Sequence, residues 1–225
     1  MGPLTLTAML SAASGFVDAH VFSNLTQVFV ANMSGNVVLF GMATGRRDWS
    51  GAGGPGVAIV AFTVGVALGT HFYSRSVRES GKARPELVVS AEIVILSGMA
   101  AILALAPEGS GRVYGTVVVG SLAMGLQTCA IRRVGESAVS TTYESGVIAR
   151  LGEAGALTAE RNGLAGERAC RVRSMVVLGS VVVAYAGGAA AGSAFGAPTI
   201  VLVIPVGALV VVAAALAHDA RHAQR

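Results

Sequence analysis

Six stretches of the sequence approach the length of about 20 apolar residues that a helix needs to cross the hydrocarbon core of a bilayer. Hydrophobic residues make up 53% of the chain and charged residues only 12%, whereas a soluble domain carries roughly 25% charged residues. The sequence therefore predicts an all-α polytopic membrane protein that forms a single transmembrane domain over residues 1–225. The six windows are Leu4–Phe22, Gly56–Tyr73, Glu86–Ala106, Val113–Ile131, Ser174–Phe195 and Pro198–Ala217.

The positions of the basic residues predict how the chain is threaded. With six spans and both termini in the cytoplasm, the inner loops and the tail hold all of the 16 Lys and Arg residues except Arg46, Arg47 and Arg112, as the positive-inside rule requires. An eight-span arrangement, in which the stretches around Asn32 and Tyr143 also cross, separates the charges less well. Because the topology explains the net charge of +4, the expected partner is the lipid bilayer and not nucleic acid.

The two halves of the chain share an internal repeat, about 1–110 and about 111–225. Three spans in each half is an odd number, so the second half is expected to be inverted relative to the first. Inverted repeats are typical of secondary transporters, whose sites form between the halves from interrupted helices. The matched motifs are Ser11-x-Ala13-x-Gly15 with Ser121-x-Ala123-x-Gly125, Phe62-x-x-Gly65-x-x-x-Gly69 with Tyr185-x-x-Gly188-x-x-x-Gly192, and Pro85 with Pro198.

Each half also contains a short polar segment, residues 27–44 in the first and residues 138–152 in the second. These segments are too short and too polar for lipid-facing spans, so we expect them to be broken or re-entrant and to face protein or a water-filled cavity. Their polar groups either line a solute site or only make hydrogen bonds between helices. The predicted solute-binding residues are Asp18, Asn32, Ser34, Gly35, Asn36, Gln127, Thr128, Thr141, Thr142, Ser145 and Gly146.

Two acidic residues are candidates for coupling transport to a proton or cation gradient. Asp18 lies deep in the first apolar window, where a charged side chain is costly and has to face the interior of the bundle. It either binds a proton or cation, or ties its helix to the Asn32 segment as a structural group. Glu144 is its chemical counterpart in the second half, or else a residue near the inner surface beside Arg150.

The glycine pairs Gly65/Gly69 and Gly188/Gly192 have the GxxxG spacing that lets two helices approach closely. They pack either within one subunit or in a homodimer. The glycine-rich stretch Gly45–Pro55 is expected to be a flexible connector. No metal or other cofactor is expected, because the histidines near the apolar windows lack the spacing of metal ligands.

An intramembrane serine hydrolase built on Ser34 or Ser145 would need a paired base. His20 and His71 are the histidines near apolar windows, and neither has a match in the second half. We therefore do not expect an enzyme.

The segments Leu10–Ala19 and Val28–Asn36 resemble the signature of the YoaK family of bacterial inner-membrane proteins. In the second half, Ala123–Gln127 and the Ser140-Thr141-Thr142 triplet are also similar to that family. The resemblance implies about six helices and a multi-pass protein of the bacterial inner membrane. It implies no particular substrate.

Two functions are compatible with these patterns. The first is a secondary transporter or permease for a small solute, driven by protons or cations. The second is a membrane scaffold or assembly factor that transports nothing and packs through its glycine-rich faces.

Overall fold

The computed structural model describes residues 3–81, 85–134, 144–159, 165–194 and 203–222, and this part of the chain contains eight α-helices. Four of them are long and apolar enough to cross a membrane, over Leu4–Asn24, Trp49–Glu79, Glu86–Leu105 and Ala169–Ala194. The protein is therefore an all-helical, polytopic membrane protein. The helices are α1 (Pro3–Asn24), α2 (Met33–Gly45), α3 (Trp49–Ser80), α4 (Pro85–Leu105), α5 (Ser110–Val134), α6 (Glu144–Ala159), α7 (Ala165–Ala194) and α8 (Val203–His222).

The other two predicted spans fall on α5 and α8, which are not among those four helices. In α8 the apolar part, Val203–His218, is a shorter helix. The count of six spans stays a prediction.

Helix α1 lies at the centre of the protein. Of the residues in its apolar window, 67% are buried, against 22% to 33% in the other three windows. Its neighbours are α5, α7 and α8, and its buried side chains Leu10 and Val17 belong to the same core as Leu96 of α4, Met124 of α5 and Leu209 of α8. A helix that is apolar on all sides is expected at such a position.

Glycines make the crossing of α1 and α7 unusually close. A side chain on Gly15 would overlap the backbone carbonyl of Tyr185, and side chains on Gly188 and Gly192 would overlap the carbonyls of Ala12 and Phe16. Only a residue without a Cβ atom allows two helix backbones to touch in this way.

The crossing of α3 and α5 is made in the same way. A side chain on Gly65 would overlap the carbonyl of Leu122, one on Gly125 would overlap that of Phe62, and a Cβ on Gly69 would lie 3.0 Å from Cβ of Cys129. Both GxxxG pairs thus pack within one chain. Since these faces are already covered, a homodimer would have to use another surface.

The remaining helices pack around these two crossings. Helix α5 also lies against α4, as α1 lies against α8, and α4 and α8 contact each other. The short helices α2 and α6 pack on α3 and α7, respectively. At 13 residues, α2 is about 20 Å long, shorter than the roughly 30 Å of a hydrocarbon core.

The prediction that Gly45–Pro55 is a flexible connector was wrong for most of that stretch. Helix α3 already begins at Trp49 and includes Pro55. The Asp48 carboxylate caps it by accepting hydrogen bonds from the Gly51 N–H at 2.9 Å and from the Ser50 hydroxyl at 2.6 Å. A side-chain cap of this kind satisfies N–H groups that the first turn leaves unpaired, so a glycine-rich sequence can start a helix.

Candidate functional site

The carboxylate of Asp18 holds the loop between α1 and α2. Its Oδ1 accepts hydrogen bonds from the backbone N–H groups of Val30 at 2.6 Å and Ala31 at 2.8 Å. Its Oδ2 accepts from the N–H of Asn32 at 3.2 Å and from the hydroxyl of Tyr185 on α7 at 2.6 Å. Asp18 is 2% exposed, so these four hydrogen bonds replace the solvation that a carboxylate would have in water.

Two features of the backbone explain why an acid fits at this position. Successive N–H groups that converge on one point form a concave anion-binding site, and here they come from residues 30–32. Helix α2 begins at Met33, so the positive end of its dipole also lies next to the carboxylate. This arrangement is that of a structural tie between α1 and the Asn32 segment, and the coupling role of Asp18 stays a prediction.

Because Asp18 lies six residues before the end of α1 at Asn24, the loop has to fold back along about 9 Å of that helix to reach the carboxylate. Val28, Val30 and Ala31 are all buried. The loop therefore enters the interior instead of running over the surface.

The two asparagines of the first polar segment bind the backbone of that same segment. Asn32 caps α2, and its Oδ1 accepts from the N–H of Gly35 at 3.1 Å and from the hydroxyl of Ser34 at 2.8 Å. Asn36 pairs with both backbone groups of Phe29, accepting from its N–H at 3.0 Å and donating to its carbonyl at 2.6 Å. These amides thus stabilise the loop and the start of α2.

Gly35 has a packing role beside these amides. A Cβ atom at this position would lie 2.8 Å from the ring of Phe29. That ring stacks on Phe22 near the end of α1, with 4.3 Å between the ring centroids. A larger residue at 35 would push the loop away from α1.

A pocket of about 610 Å³ lies beside this loop. Its walls come from residues 26–28, the end of α2 and the first turns of α3 and α5. Both ends of the first polar segment thus border the same pocket. Its polar lining residues are Thr26, Gln27, Arg46, Asp48, Ser50, Ser110 and Tyr114.

The pocket has charges of both signs. Hydrogen bonds from the Ser50 side chain and the Gly51 N–H, with a smaller contribution from Arg46, lower the pKa of Asp48 below its ordinary value of 3.8. Asp48 is therefore an anion at neutral pH, beside the Arg46 guanidinium. Away from these charges, Val28 and Val117 line the pocket and form a buried apolar cluster with Ala58.

Of the residues predicted to bind a solute, none that the structure describes lines this pocket. Their polarity inside apolar surroundings suggested a solute site, and several of them bind backbone groups instead. The residues that do line the pocket were missed. The available signal was the charged pair Arg46 and Asp48 directly after the polar segment.

Gln127 joins α5 to α1 and does not contact the Asn32 segment in any hydrogen bond described. Its Oε1 accepts from the hydroxyl of Ser14, and its Nε2 donates to the carbonyl of Leu10 at 3.4 Å. Thr128 donates to the carbonyl of Met124 in its own helix at 2.9 Å. Both predicted residues are buried, but apart from the pocket.

A second buried acid was not predicted from the sequence. Glu92 lies in the predicted window Glu86–Ala106, is 0% exposed, and neither of its carboxylate oxygens has a hydrogen-bond partner among the described residues. Gln127 is the side chain that interacts with it, although no hydrogen bond of acceptable geometry joins the two. The cost of an acid inside an apolar span, which singled out Asp18, applied equally to Glu92.

The second polar segment is only partly described. Thr141 and Thr142 lie outside the described residues, as does the side chain of Glu144, where α6 begins. Ser145 is exposed and Gly146 is half-buried in the first turn of α6. The roles assigned to these five residues stay predictions. Within the described ranges, no group of three or more His, Cys, Asp or Glu side chains could hold a metal ion.

A family model described as "Protein of unknown function (DUF1275)" matches residues 6–216. The chain belongs to this family. The chain is also 29% identical to the UPF0700 transmembrane protein YoaK of Bacillus subtilis (strain 168) over 150 residues, which are 65% of this chain and 64% of that protein. The alignment thus spans less than two thirds of the relative's length.

These matches confirm the resemblance to the YoaK family, and the DUF1275 model covers both halves of the chain. A relative that is a transmembrane protein agrees with the apolar helices described above. No solved structure gives a significant match to the chain.

Proposed function

We propose that the protein is a secondary transporter or permease for a small polar solute, not an enzyme, and that its two halves are inverted repeats. The two helix crossings support the repeat. Gly15 faces Tyr185 as Gly125 faces Phe62, and Gly188 faces Ala12 as Gly65 faces Leu122. These are equivalent positions in the repeat, since Gly15 matches Gly125 and Gly188 matches Gly65. The contact of α1 with α7 thus has the same residue pattern as the contact of α5 with α3.

The pocket beside the first polar segment is the observation that carries the transport proposal. Its volume of about 610 Å³ lies within the range of about 300 to 1,000 Å³ that is usual for small-ligand sites. Arg46 and Asp48 offer charges of both signs, which suits a zwitterion or another small polar solute. We infer that the first polar segment is re-entrant, with the pocket at its open end and the Val28–Ala58–Val117 cluster as an apolar constriction below it.

The proposed orientation places the protein in a bacterial inner membrane with both termini in the cytoplasm and the pocket open to the periplasm. Single-cysteine labelling with a membrane-impermeant maleimide tests this. Trp49→Cys, at a side chain that is 72% exposed, should react in intact cells after Cys129 and Cys170 are replaced by alanine. The control is Cys129→Ala alone, because exposed Cys170 should then react only after permeabilisation. Labelling of position 49 only from the cytoplasm would reverse the orientation.

Transport itself is tested in proteoliposomes with a panel of radiolabelled small polar metabolites. We expect gradient-driven flux of at least one compound, and a reduction of about tenfold in Arg46→Gln, because a lost charged hydrogen bond is worth about 1.5–3 kcal/mol. Arg47→Gln is the matched control, since Arg47 is also exposed but does not line the pocket. Equal losses in the two variants would exclude the pocket as the entrance, and no flux across the panel would count against transport.

One observation favours the scaffold alternative. Asp18, Asn32 and Asn36 satisfy the hydrogen bonds of the loop and do not line the pocket. A scaffold needs these polar groups only for folding. In that case liposomes containing the folded protein should be no more permeable to any compound than empty ones.

A further inference from the structure

Glu92 lies at a position in the protein interior that is unfavourable for an acidic side chain. Its carboxyl group lies between α4 and α5, fully buried, and its two oxygens find no hydrogen-bond partner in the described part of the chain. Asp18, the other buried acid, accepts four hydrogen bonds. An ionised carboxylate without such partners is strongly unfavourable in apolar surroundings. These surroundings therefore favour the neutral form of Glu92, with its proton bound.

Glu92 lies in a fully buried part of the interior. Leu96 and Met99 of its own helix and Met124 and Leu126 of α5 are each at most 2% exposed. Neither Glu92 nor Gln127 lines the pocket beside the first polar segment. A metal cation would need about six oxygen ligands, and the Gln127 oxygen is already bound by Ser14. A proton needs no such space.

Among the described side chains, no charged group has a resolved interaction with Glu92. The helices packed against α4 are α3, α5 and α8. Burial and the Gln127 side chain are the described influences on the carboxyl group. The described titratable groups on those three helices take no part. They are His71, Tyr73, Arg75, Arg78, Glu79, Arg112, Tyr114, Cys129 and His218.

We propose that Glu92 is a proton-binding site and that the release of its proton is coupled to a shift of α4 against α5. In the state without the proton, the amide of Gln127 stabilises the charged carboxylate of Glu92. One hydrogen of its Nε2 is donated to the carbonyl of Leu10 at 3.4 Å, and the other can be donated to Glu92 once the carboxylate is charged and correctly aligned. The two states then differ by one proton and one hydrogen bond, so the proton concentration shifts their populations.

Gln127 also connects this site to α1. Through Ser14 and the Leu10 carbonyl it contacts the helix whose Asp18 holds residues 30–32. A movement of Gln127 is thereby transmitted to the loop that carries Val28 at the floor of the pocket. The role of this proton site in driving solute flux rests on the proposed function. Proton binding by Glu92 is itself measurable without any solute.

Infrared spectroscopy of the full-length protein in phosphatidylethanolamine–phosphatidylglycerol liposomes tests the proton site directly. We expect a carbonyl band of a protonated carboxylic acid in mildly acidic buffer, its loss as the pH is raised, and its absence in Glu92→Gln. The matched control is Glu86→Gln, which removes a carboxyl group that is not fully buried from the first turn of the same helix and should keep the band. An unchanged band in Glu92→Gln would overturn the assignment.

A second readout tests the coupling. The native cysteines are replaced by alanine, and Val28→Cys is labelled with a maleimide. The labelling rate should depend on pH more strongly than the reaction of the maleimide with a free thiol does. Adding Glu92→Gln should abolish this additional pH dependence. If Glu92→Gln does not accumulate, Glu92→Asp, which retracts the carboxyl group by one methylene, should shift the pH at which the band disappears. A band that persists at every pH would refute proton release. A missing solute flux together with a titrating band would refute only the transporter.

Discussion

Gly188→Val is expected to prevent the protein from folding, because the new side chain would occupy the position of the Ala12 backbone carbonyl in α1. Overpacking against side chains costs about 1–3 kcal/mol, and here the obstacle is a helix backbone that cannot move without separating α1 from α7. The measurement is the amount of monodisperse protein recovered in detergent by fluorescence-detected size-exclusion chromatography, for which we expect a near-complete loss.

The neighbouring residue provides the matched control. Gly187 lies on the same turn of α7, but a Cβ atom there would have no heavy atom within 4 Å, so Gly187→Val should accumulate nearly as well as the wild type. By the repeat, Gly65→Val in α3 should fail for the same reason as Gly188→Val, since its side chain would meet the carbonyl of Leu122. Normal recovery of both Gly188→Val and Gly65→Val would mean that these crossings are wider than described.

Local patterns in the sequence predicted the helices well. The window Leu4–Phe22 corresponds to α1 (Pro3–Asn24) and Glu86–Ala106 to α4 (Pro85–Leu105), because a run of apolar residues is itself the physical requirement for a span. The start of α3 was missed since glycines and Pro55 obscured it, whereas the Asp48 cap determines it. The GxxxG spacing in the sequence also predicted that these glycines lie at helix contacts. Which helix each of them contacts is known only from the tertiary packing.

The candidate site was harder to predict, because its contacts join distant parts of the chain. Polarity in an apolar segment correctly marked Asp18, Asn36 and Gln127 as buried groups. It could not say whether such a group faces a ligand, a backbone or another helix. The hydroxyl that binds Asp18 belongs to Tyr185, 167 residues away, and nothing in the local pattern around Tyr185 distinguishes it from a packing aromatic residue.

The second large effect is expected for Asp18→Ala. This change leaves the N–H groups of Val30, Ala31 and Asn32 without their acceptor, and unsatisfied buried donors cost about 1–3 kcal/mol each. We expect a destabilisation of about 3–5 kcal/mol and a melting temperature lower by about 10 °C, measured by thermal unfolding in detergent. Ser34→Ala is the control, because the exposed Ser34 hydroxyl donates to Asn32 and to no other group in the described part of the chain. This change should have little effect on stability.

Asp18→Asn separates the two roles considered for this residue. Asparagine keeps one oxygen for Val30 and Ala31, and the Tyr185 hydroxyl can accept from the new amide instead of donating to the carboxylate. Only the Asn32 N–H then loses its acceptor, so we expect Asp18→Asn to be clearly more stable than Asp18→Ala. If Asp18 is a structural tie, the flux of Asp18→Asn in proteoliposomes should be close to that of the wild type. If it carries the coupling, the variant should fold but lose gradient-driven flux. A stability as low as that of Asp18→Ala would mean that the loop requires the full charge of the carboxylate.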